Sequence, residues 1–326
     1  MRESLKLAVA LIAMAFIAPL SGAFAQSAAW PTKPVRVIVP YPPGGIGDTA
    51  TRAVTARMAA QLGQPFIVEN VPGGNQIIAS QMVARSQPDG HMLLLASPTS
   101  MVLNPMTKRN LPYQADRMTA VAQVFSSPFF LITSPQLKAS NVAELVQLAK
   151  ANPGGLAYGS LGDGSSAHLT AELFAQLTGI RMTHVPYKGT AQSNVDLMSN
   201  NLQLIFFPGA GSLSLVKDGR LKALAVTSGR RSSAMPEVPT MVEAGVAGFS
   251  VESWWGLVAA EGTPRAVADA IAKAVAAAVA DPALNQRFLD QAVVFKADTP
   301  AEFSAFLQRE RALWEPLVRR LNIVVE

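Results

Sequence analysis

The chain has three histidines and no cysteine, so the options for side-chain chemistry are few. His91, His168 and His184 form no HExxH pair that would set two imidazoles on one helix face for a metal. No GxSxG segment lifts a serine above a strand-to-helix turn. Each histidine stands alone beside a strand or a first helical turn, where packing explains it without a ligand. The segment Gly159-Ser160-Leu161-Gly162-Asp163-Gly164-Ser165-Ser166 comes close to a phosphate-binding loop in its glycine spacing. Ser165 stands where that loop needs lysine, so ATP is not the expected ligand.

The same segment is suited to a simpler anion. It follows a strand pattern and opens a helix, whose first four N–H groups lack intrahelical partners and face the positive end of the helix dipole. A carboxylate can take those donors, with Ser165 or Ser166 capping the helix or adding a hydroxyl. An ordinary glycine turn with a serine N-cap fits this segment alone equally well. A second loop favours the anion reading. Residues 41–48, Tyr-Pro-Pro-Gly-Gly-Ile-Gly-Asp, also follow a strand; Pro42 and Pro43 stiffen the turn, and Gly44 and Gly45 leave backbone amides unobstructed. Ligands of open α/β sheets bind beyond the carboxyl ends of strands, so the two loops are expected to face one cleft.

The elements that must hold these loops are legible in the periodicity. β-Branched and apolar runs at 35–41, 66–70 and 91–97 alternate with helical stretches opening at Asp48 and near Gln76, which predicts a parallel sheet. A second cycle places strands at 156–160, 181–187, 203–208 and 222–228, with helices opening near Ser165, Thr190 and Gly211. Residues 120–133 and 249–260 are apolar, strand-like and outside this alternation, and they read as two crossovers joining two lobes. Thr263-Pro264 is expected as N-cap and first-turn proline, and Thr299-Pro300-Ala301-Glu302 as a capping box. Phe303, Phe306, Leu307, Leu313, Trp314, Leu317 and Leu321 recur at helical spacing, so the last helix should bury that stripe, with a kink at Pro316.

Composition sets the outer limits. At 326 residues, 49% hydrophobic and 15% charged, the chain is too long for one small module and too apolar for disorder, and two domains are expected. The net charge of +5 comes without a basic run, so nucleic acid is not an expected partner, while small anions are. Residues 1–25 have a positive start, an apolar run over 7–20 and Ala23-Phe24-Ala25 before Gln26. That is the pattern of a signal peptide cleaved after Ala25; the apolar run is too short to span a bilayer. A soluble, exported mature chain without stable membrane insertion is expected, in a bacterial periplasm.

Tyr41 to Asp48 with Arg52, Pro88-Asp-Gly90, Gly162 to Leu169, Val185-Pro-Tyr-Lys-Gly189 with Asp196, residues 221–226, Pro236-Glu-Val-Pro-Thr240 with Glu243-Ala-Gly245, and residues 254–264 form an ordered set. The set resembles the Bug-type receptors, the extracytoplasmic solute-binding proteins of tripartite tricarboxylate transporters, over essentially the whole mature chain. The resemblance implies an α/β, two-lobed periplasmic binding protein, each lobe a mainly parallel sheet flanked by helices, with the ligand in the interlobe cleft. It implies a first lobe from 30–125, a second from 126–252, and a return crossover with C-terminal helices at 253–326 completing the first.

Carried onto matching positions, it implies that a small organic carboxylate is held by Tyr41, Pro43, Gly44, Gly45, Ser97, Thr99, Ser100, Gly164, Ser165, Ser166, Tyr187, Lys188, Gly189, Thr190 and Asp196. Asp196 either meets the ligand or bonds a nearby loop. Lys188 is more readily a solvated side chain than a counter-charge. Phe206-Phe207 either walls the cleft or alternates between core layers. The expected role is a binding protein without catalysis, metal or cofactor, delivering its ligand to the membrane components of a transporter. A periplasmic sensor or adaptor, and an enzyme using the same cleft, are the alternatives.

Overall fold

The computed structural model describes residues 30–209 and 212–321. The expected leader and the helix start near Gly211 lie outside the described residues, as does the side chain of Leu321.

The first lobe opens with β1 (Val35–Val39), α1 (Ile46–Leu62), β2 (Phe66–Asn70), α2 (Ile77–Ala84) and β3 (Met92–Ala96). Val37 pairs in parallel with Val68 on one side and Leu93 on the other. The second lobe repeats this winding with β5 (Ala157–Ser160), α5 (Ser166–Thr178), β6 (Thr183–Pro186), α6 (Thr190–Met198) and β7 (Leu204–Pro208), in which β5 runs parallel to both β6 and β7. α4 (Val142–Ala151) precedes that repeat, and α7 (Leu213–Lys217) and β8 (Lys222–Val226) follow it. β1, β3 and β7 are nearly continuous buried apolar runs, as strands covered on both faces are, whereas β2 and β6, at the ends of the strand order, are only partly buried.

Two antiparallel strands join the lobes. β4 (Thr119–Thr133) is 15 residues long, about 50 Å of extended chain. Its first half pairs with β9 (Glu252–Ala259), down to Pro128 opposite Glu252; from Phe129 onward it lies between β7 and β8. Pro128, which has no N–H to donate, sits where the ladder changes partners. The threonine at 227 ties the two crossings together. Its Oγ1 accepts from Phe129 N at 2.9 Å and donates to Val251 O at 2.6 Å. The second crossover is therefore strand only from Glu252, three residues later than its apolar pattern suggests.

The C-terminal part folds as α8 (Arg265–Val279), α9 (Pro282–Leu289), β10 (Val294–Phe295) and α10 (Pro300–Leu321), with Arg57 Nε of α1 donating to Asp281 Oδ2 at 2.6 Å. The capping box forms as expected: Thr299 N donates to Glu302 Oε2 at 2.9 Å, and Glu302 N to Thr299 Oγ1 at 3.3 Å. Thr263 does not cap α8; its hydroxyl donates to Ala260 O at 2.8 Å, and Pro264 itself occupies the N-cap position. Similarly, α1 begins at Ile46 with Gly45 as N-cap, so Asp48 lies in its first turn rather than at its start. On α10, Phe303, Leu307, Trp314 and Leu317 are buried, but Leu313 is 53% exposed and leaves the stripe. Trp254 of β9 packs edge-on to Phe303 at 5.6 Å and donates its indole N–H to Glu310 Oε2 at 2.8 Å. Burial pushes the Glu310 carboxyl up. Gly256 makes this contact possible: a Cβ there would lie 2.2 Å from the Phe303 ring. Phe206 turns into the core against Phe174 and Phe249, at 5.5 and 6.0 Å, and Phe207 is only 2% exposed, so the core reading of this pair holds.

Candidate functional site

The loop after β1 is built around Asp48. Only 4% exposed, this carboxylate accepts Gly44 N at 2.9 Å, Arg52 Nε at 2.8 Å and Asn70 Nδ2 at 3.0 Å. Burial alone would raise its pKa, but the Gly44, Asn70 and Arg52 donors outweigh it and hold the group below the usual carboxylate range. The Gly44 N–H is thus turned inward, and Gly44 takes φ of +89°, a backbone angle that glycine adopts without penalty. Pro43, Gly44 and Gly45 are exposed. A Cβ at Gly45 would meet nothing within 4 Å.

Behind this loop lies a buried polar knot. The Tyr41 hydroxyl accepts Gln76 Nε2 and Trp255 Nε1, each at 3.1 Å, and Ser97 Oγ donates to Gln76 Oε1 at 2.7 Å. Burial pushes the Tyr41 phenol up. Asn75 and Gln76, with φ of 50° and 73°, are consecutive left-handed residues, a strained arrangement of the kind found at ligand loops. β3 runs into a single π-helical turn, Thr99–Leu103, and a short helix α3, Asn104–Thr107; such turns recur at functional positions. Ser100 is structural: its hydroxyl accepts Ser97 N at 2.9 Å, while its carbonyl accepts the Tyr113 hydroxyl at 2.6 Å.

Opposite stands the loop between β5 and α5. Ser165 is the N-cap, accepting His168 N at 3.3 Å, and Gly164 N donates to His168 Nδ1 at 2.9 Å. Ser160 Oγ lies 2.6 Å from His184 Nε2, and His184 Nδ1 lies 3.2 Å from Asp163 Oδ1. His168 and His184 stack at 4.1 Å with planes 6° apart. Burial pushes both imidazoles down, His184 to about 4, with the neighbouring His168 adding to its shift. Both rings are therefore neutral near pH 7.

Serine, histidine and aspartate here are in contact but not poised for nucleophilic catalysis. Ser160 is 0% exposed, and its hydroxyl also bonds Gly162 N and Gly162 O, at 3.0 and 3.1 Å. Nor do the parallel rings suit a shared metal ion, because imidazole lone pairs lie in the ring planes and these planes do not converge. The cluster clamps the loop. Sequence reasoning took each histidine singly, and the pairing arises only because β5 and β6 run side by side, with Tyr158 opposite His184.

The turn after β6 completes the set. The Tyr187 hydroxyl donates to Asp196 Oδ2 at 2.7 Å, and burial, with Asp196 beside it, pushes the phenol up to about 12. Asp196 thus braces the turn. Lys188 is exposed, Gly189 is the extended N-cap of α6, and Thr190 opens that helix.

The lobes meet at a narrow seam. Ser166 N donates to Thr99 Oγ1 at 3.3 Å, Asn75 Nδ2 donates to Asp163 O at 3.2 Å, and Thr107 Oγ1 lies 3.0 Å from where a Gly164 Cβ would stand. Of the expected residues, Thr99, Gly164 and Ser166 touch the opposite lobe; Tyr41 and Ser97 support the first-lobe side through Gln76. Pro43, Gly44, Gly45 and Lys188 make no such contact. Asn75, Gln76 and Asn104 were missed in the sequence. Their only signal there was the Gly73-Gly74-Asn75-Gln76 run before a helix.

Two α/β lobes on paired antiparallel crossings, with helix-opening loops of both lobes meeting at the seam, define the class of two-lobed periplasmic binding proteins. Residues 50–323 match the TctC model, tripartite tricarboxylate transporter family receptor, and the chain belongs to that family. Two Bordetella pertussis relatives are each 33% identical: a UPF0065 protein over 304 residues, 93% of this chain and 94% of its own, and BugT over 294 residues, 89% and 90%. Among solved structures, R. palustris Rpa4515 with adipate is 30% identical at TM-score 0.84, covering 89% of this chain and 97% of its own. MatC from Rhodopseudomonas palustris with bound malate is 28% identical at TM-score 0.82, covering 89% and 100%.

Proposed function

We propose that this receptor captures a small organic carboxylate between its lobes and delivers it to the membrane components of a tripartite transporter. The observation that carries this reading is the seam at the start of α5, where Ser166 N–H, a first-turn donor with no intrahelical partner, meets Thr99 Oγ1 across the lobes, a position at which a carboxylate can take that donor. Adipate and malate in the two similar structures support the ligand class.

In this reading Gly45, Thr99, Ser165, Ser166, Gly189 and Thr190 hold the carboxylate, while Asp48, Gln76, His168, His184 and Asp196 hold the loops. The moving bodies are 30–125 with 253–326 against 126–252. The chain is exported, with its leader cleaved after Ala25, and no helix among the described residues is long and apolar enough to cross a membrane. No catalytic step is proposed, since the serine that touches a histidine is sealed in the core. A thermal-shift screen of mono-, di- and tricarboxylic acids tests the reading. A true ligand raises the melting temperature with the logarithm of its concentration above Kd; a flat response to every acid defeats the proposal.

A further inference from the structure

We propose that Lys108 reads a second negative charge on the ligand, and so selects dicarboxylates over monocarboxylates. This rests on the carboxylate-receptor reading above. Lys108 follows α3 directly, its N–H donating to Asn104 O at 2.9 Å. Thr107, one residue before, is the residue packed against Gly164 at the seam. The lysine is therefore fixed beside the anion loop of the opposite lobe. With Ile77, Arg109 and Asn110 it lines a cavity of about 320 Å³. Ile77 opens α2, one residue after Gln76 of the polar knot.

Among the described residues Lys108 is half-buried and makes no ion pair or side-chain hydrogen bond. Lys33, Lys217 and Lys296 have carboxylate partners and Lys222 donates to Leu137 O; Lys138, Lys150, Lys188 and Lys273 are without such partners among the described residues but are exposed, where water solvates them. A half-buried ammonium with no partner is unfavourable unless an anion completes it. Burial pushes Lys108 below its usual range, while Asp163 across the seam pushes it back without pairing with it. Asp163 is itself exposed and adjoins His184, so its repulsion of an incoming anion is screened by solvent. A carboxylate tethered to the one held at α5 would supply the missing partner. Arg109 is exposed and offers a weaker, solvated charge at the cavity rim.

The test compares acids that differ only by a methyl group in place of the second carboxylate. Dissociation constants for adipate and hexanoate, and for malate and 3-hydroxybutyrate, are measured by calorimetry on the full mature chain, with Lys108→Met and Lys108→Arg. Wild type should prefer the diacid of at least one pair. Lys108→Met should weaken that diacid by about tenfold or more while changing the monoacid by less than about twofold, and Lys108→Arg should retain most of the affinity. Unchanged diacid binding in Lys108→Met, or an equal loss for both members of a pair, overturns the role of Lys108 and leaves the receptor reading standing. Wild type binding none of the four acids, while another acid of the thermal-shift screen binds, overturns the dicarboxylate selectivity and leaves the receptor reading standing; no binding by any acid of that screen defeats both.

Discussion

At the scale of single residues, the proposed site holds one carboxylate by backbone and hydroxyl groups at the start of α5 and keeps Lys108 for a second charge, while Asp48 and Asp196 are engaged in holding loops. Gly45 is the cleanest probe of the first-lobe loop. A Cβ there meets open space, and its φ of −75° suits any residue, so Gly45→Val should melt like wild type yet block ligand approach and weaken binding by about tenfold or more, as calorimetry would show. Gly44→Val is less informative, because φ of +89° strains a valine whether or not a ligand approaches. The histidines make a different prediction. His184 has its folded pKa depressed to about 4 by burial and by His168, against about 6.5 unfolded. The unfolded state therefore binds more protons between these values. Its contribution is fully present above about pH 6.5 and is lost as pH falls toward 4, on the order of 3 kcal/mol. Chemical denaturation at about pH 7 and pH 4.5 should show that loss reduced in His184→Gln; an undiminished loss would assign acid sensitivity elsewhere.

At the scale of elements, periodicity read from the chain located the strands of both cycles and most helices, because buried strands and amphipathic helices announce themselves locally; it passed over α4, although Asn141 caps that helix by accepting Glu144 N at 2.9 Å. Other misses depend on contacts between distant segments. The stacking of His168 on His184 follows from α5 leaving β5, the strand paired with β6, and the inward turn of Gly44 follows from Asp48 four residues later, with Asn70 and Arg52 behind it. Leu313 fits a helical count but falls on the solvent side of α10, since spacing alone does not say where a stripe ends. Two variants test the packing of that helix. Thr299→Ala removes the reciprocal cap and should lower stability by about 1 kcal/mol in urea unfolding. Gly256→Ala drives a Cβ into the Phe303 ring and to 2.8 Å from Ala122 O, so a loss of about 1–3 kcal/mol or more is expected. If Gly256→Ala melts like wild type, α10 is not seated on β9 through Phe303.

At the scale of the molecule, the two-lobed class was legible because two strand-helix cycles are separated by apolar segments that fit neither. The partner exchange at Pro128 was not, because both halves of β4 read as strand across Ser126-Ser127-Pro128 and only the pairing distinguishes them. Closure of the lobes about the crossings at Pro128–Phe129 and Val251–Glu252 should reduce the radius of gyration in small-angle scattering when a saturating ligand is added. The central claim is that a carboxylate is held at the start of α5 by oriented N–H groups and a serine hydroxyl. Calorimetric titration of the best-binding acid from the thermal-shift screen into wild type, Ser166→Ala and Lys188→Met, repeated at about pH 6, 7 and 8, tests it most directly. Loss of one charge-assisted hydrogen bond in Ser166→Ala should cost roughly 1.5–3 kcal/mol, about a tenfold to hundredfold rise in Kd. Lys188→Met should change Kd much less, and wild-type affinity should stay nearly flat across this range, since the acid remains ionised, the proposed donors do not titrate there, and burial holds both loop histidines below their usual range. A loss confined to Lys188→Met, with Ser166→Ala binding as wild type does, would contradict the claim and assign the carboxylate to a side-chain cation.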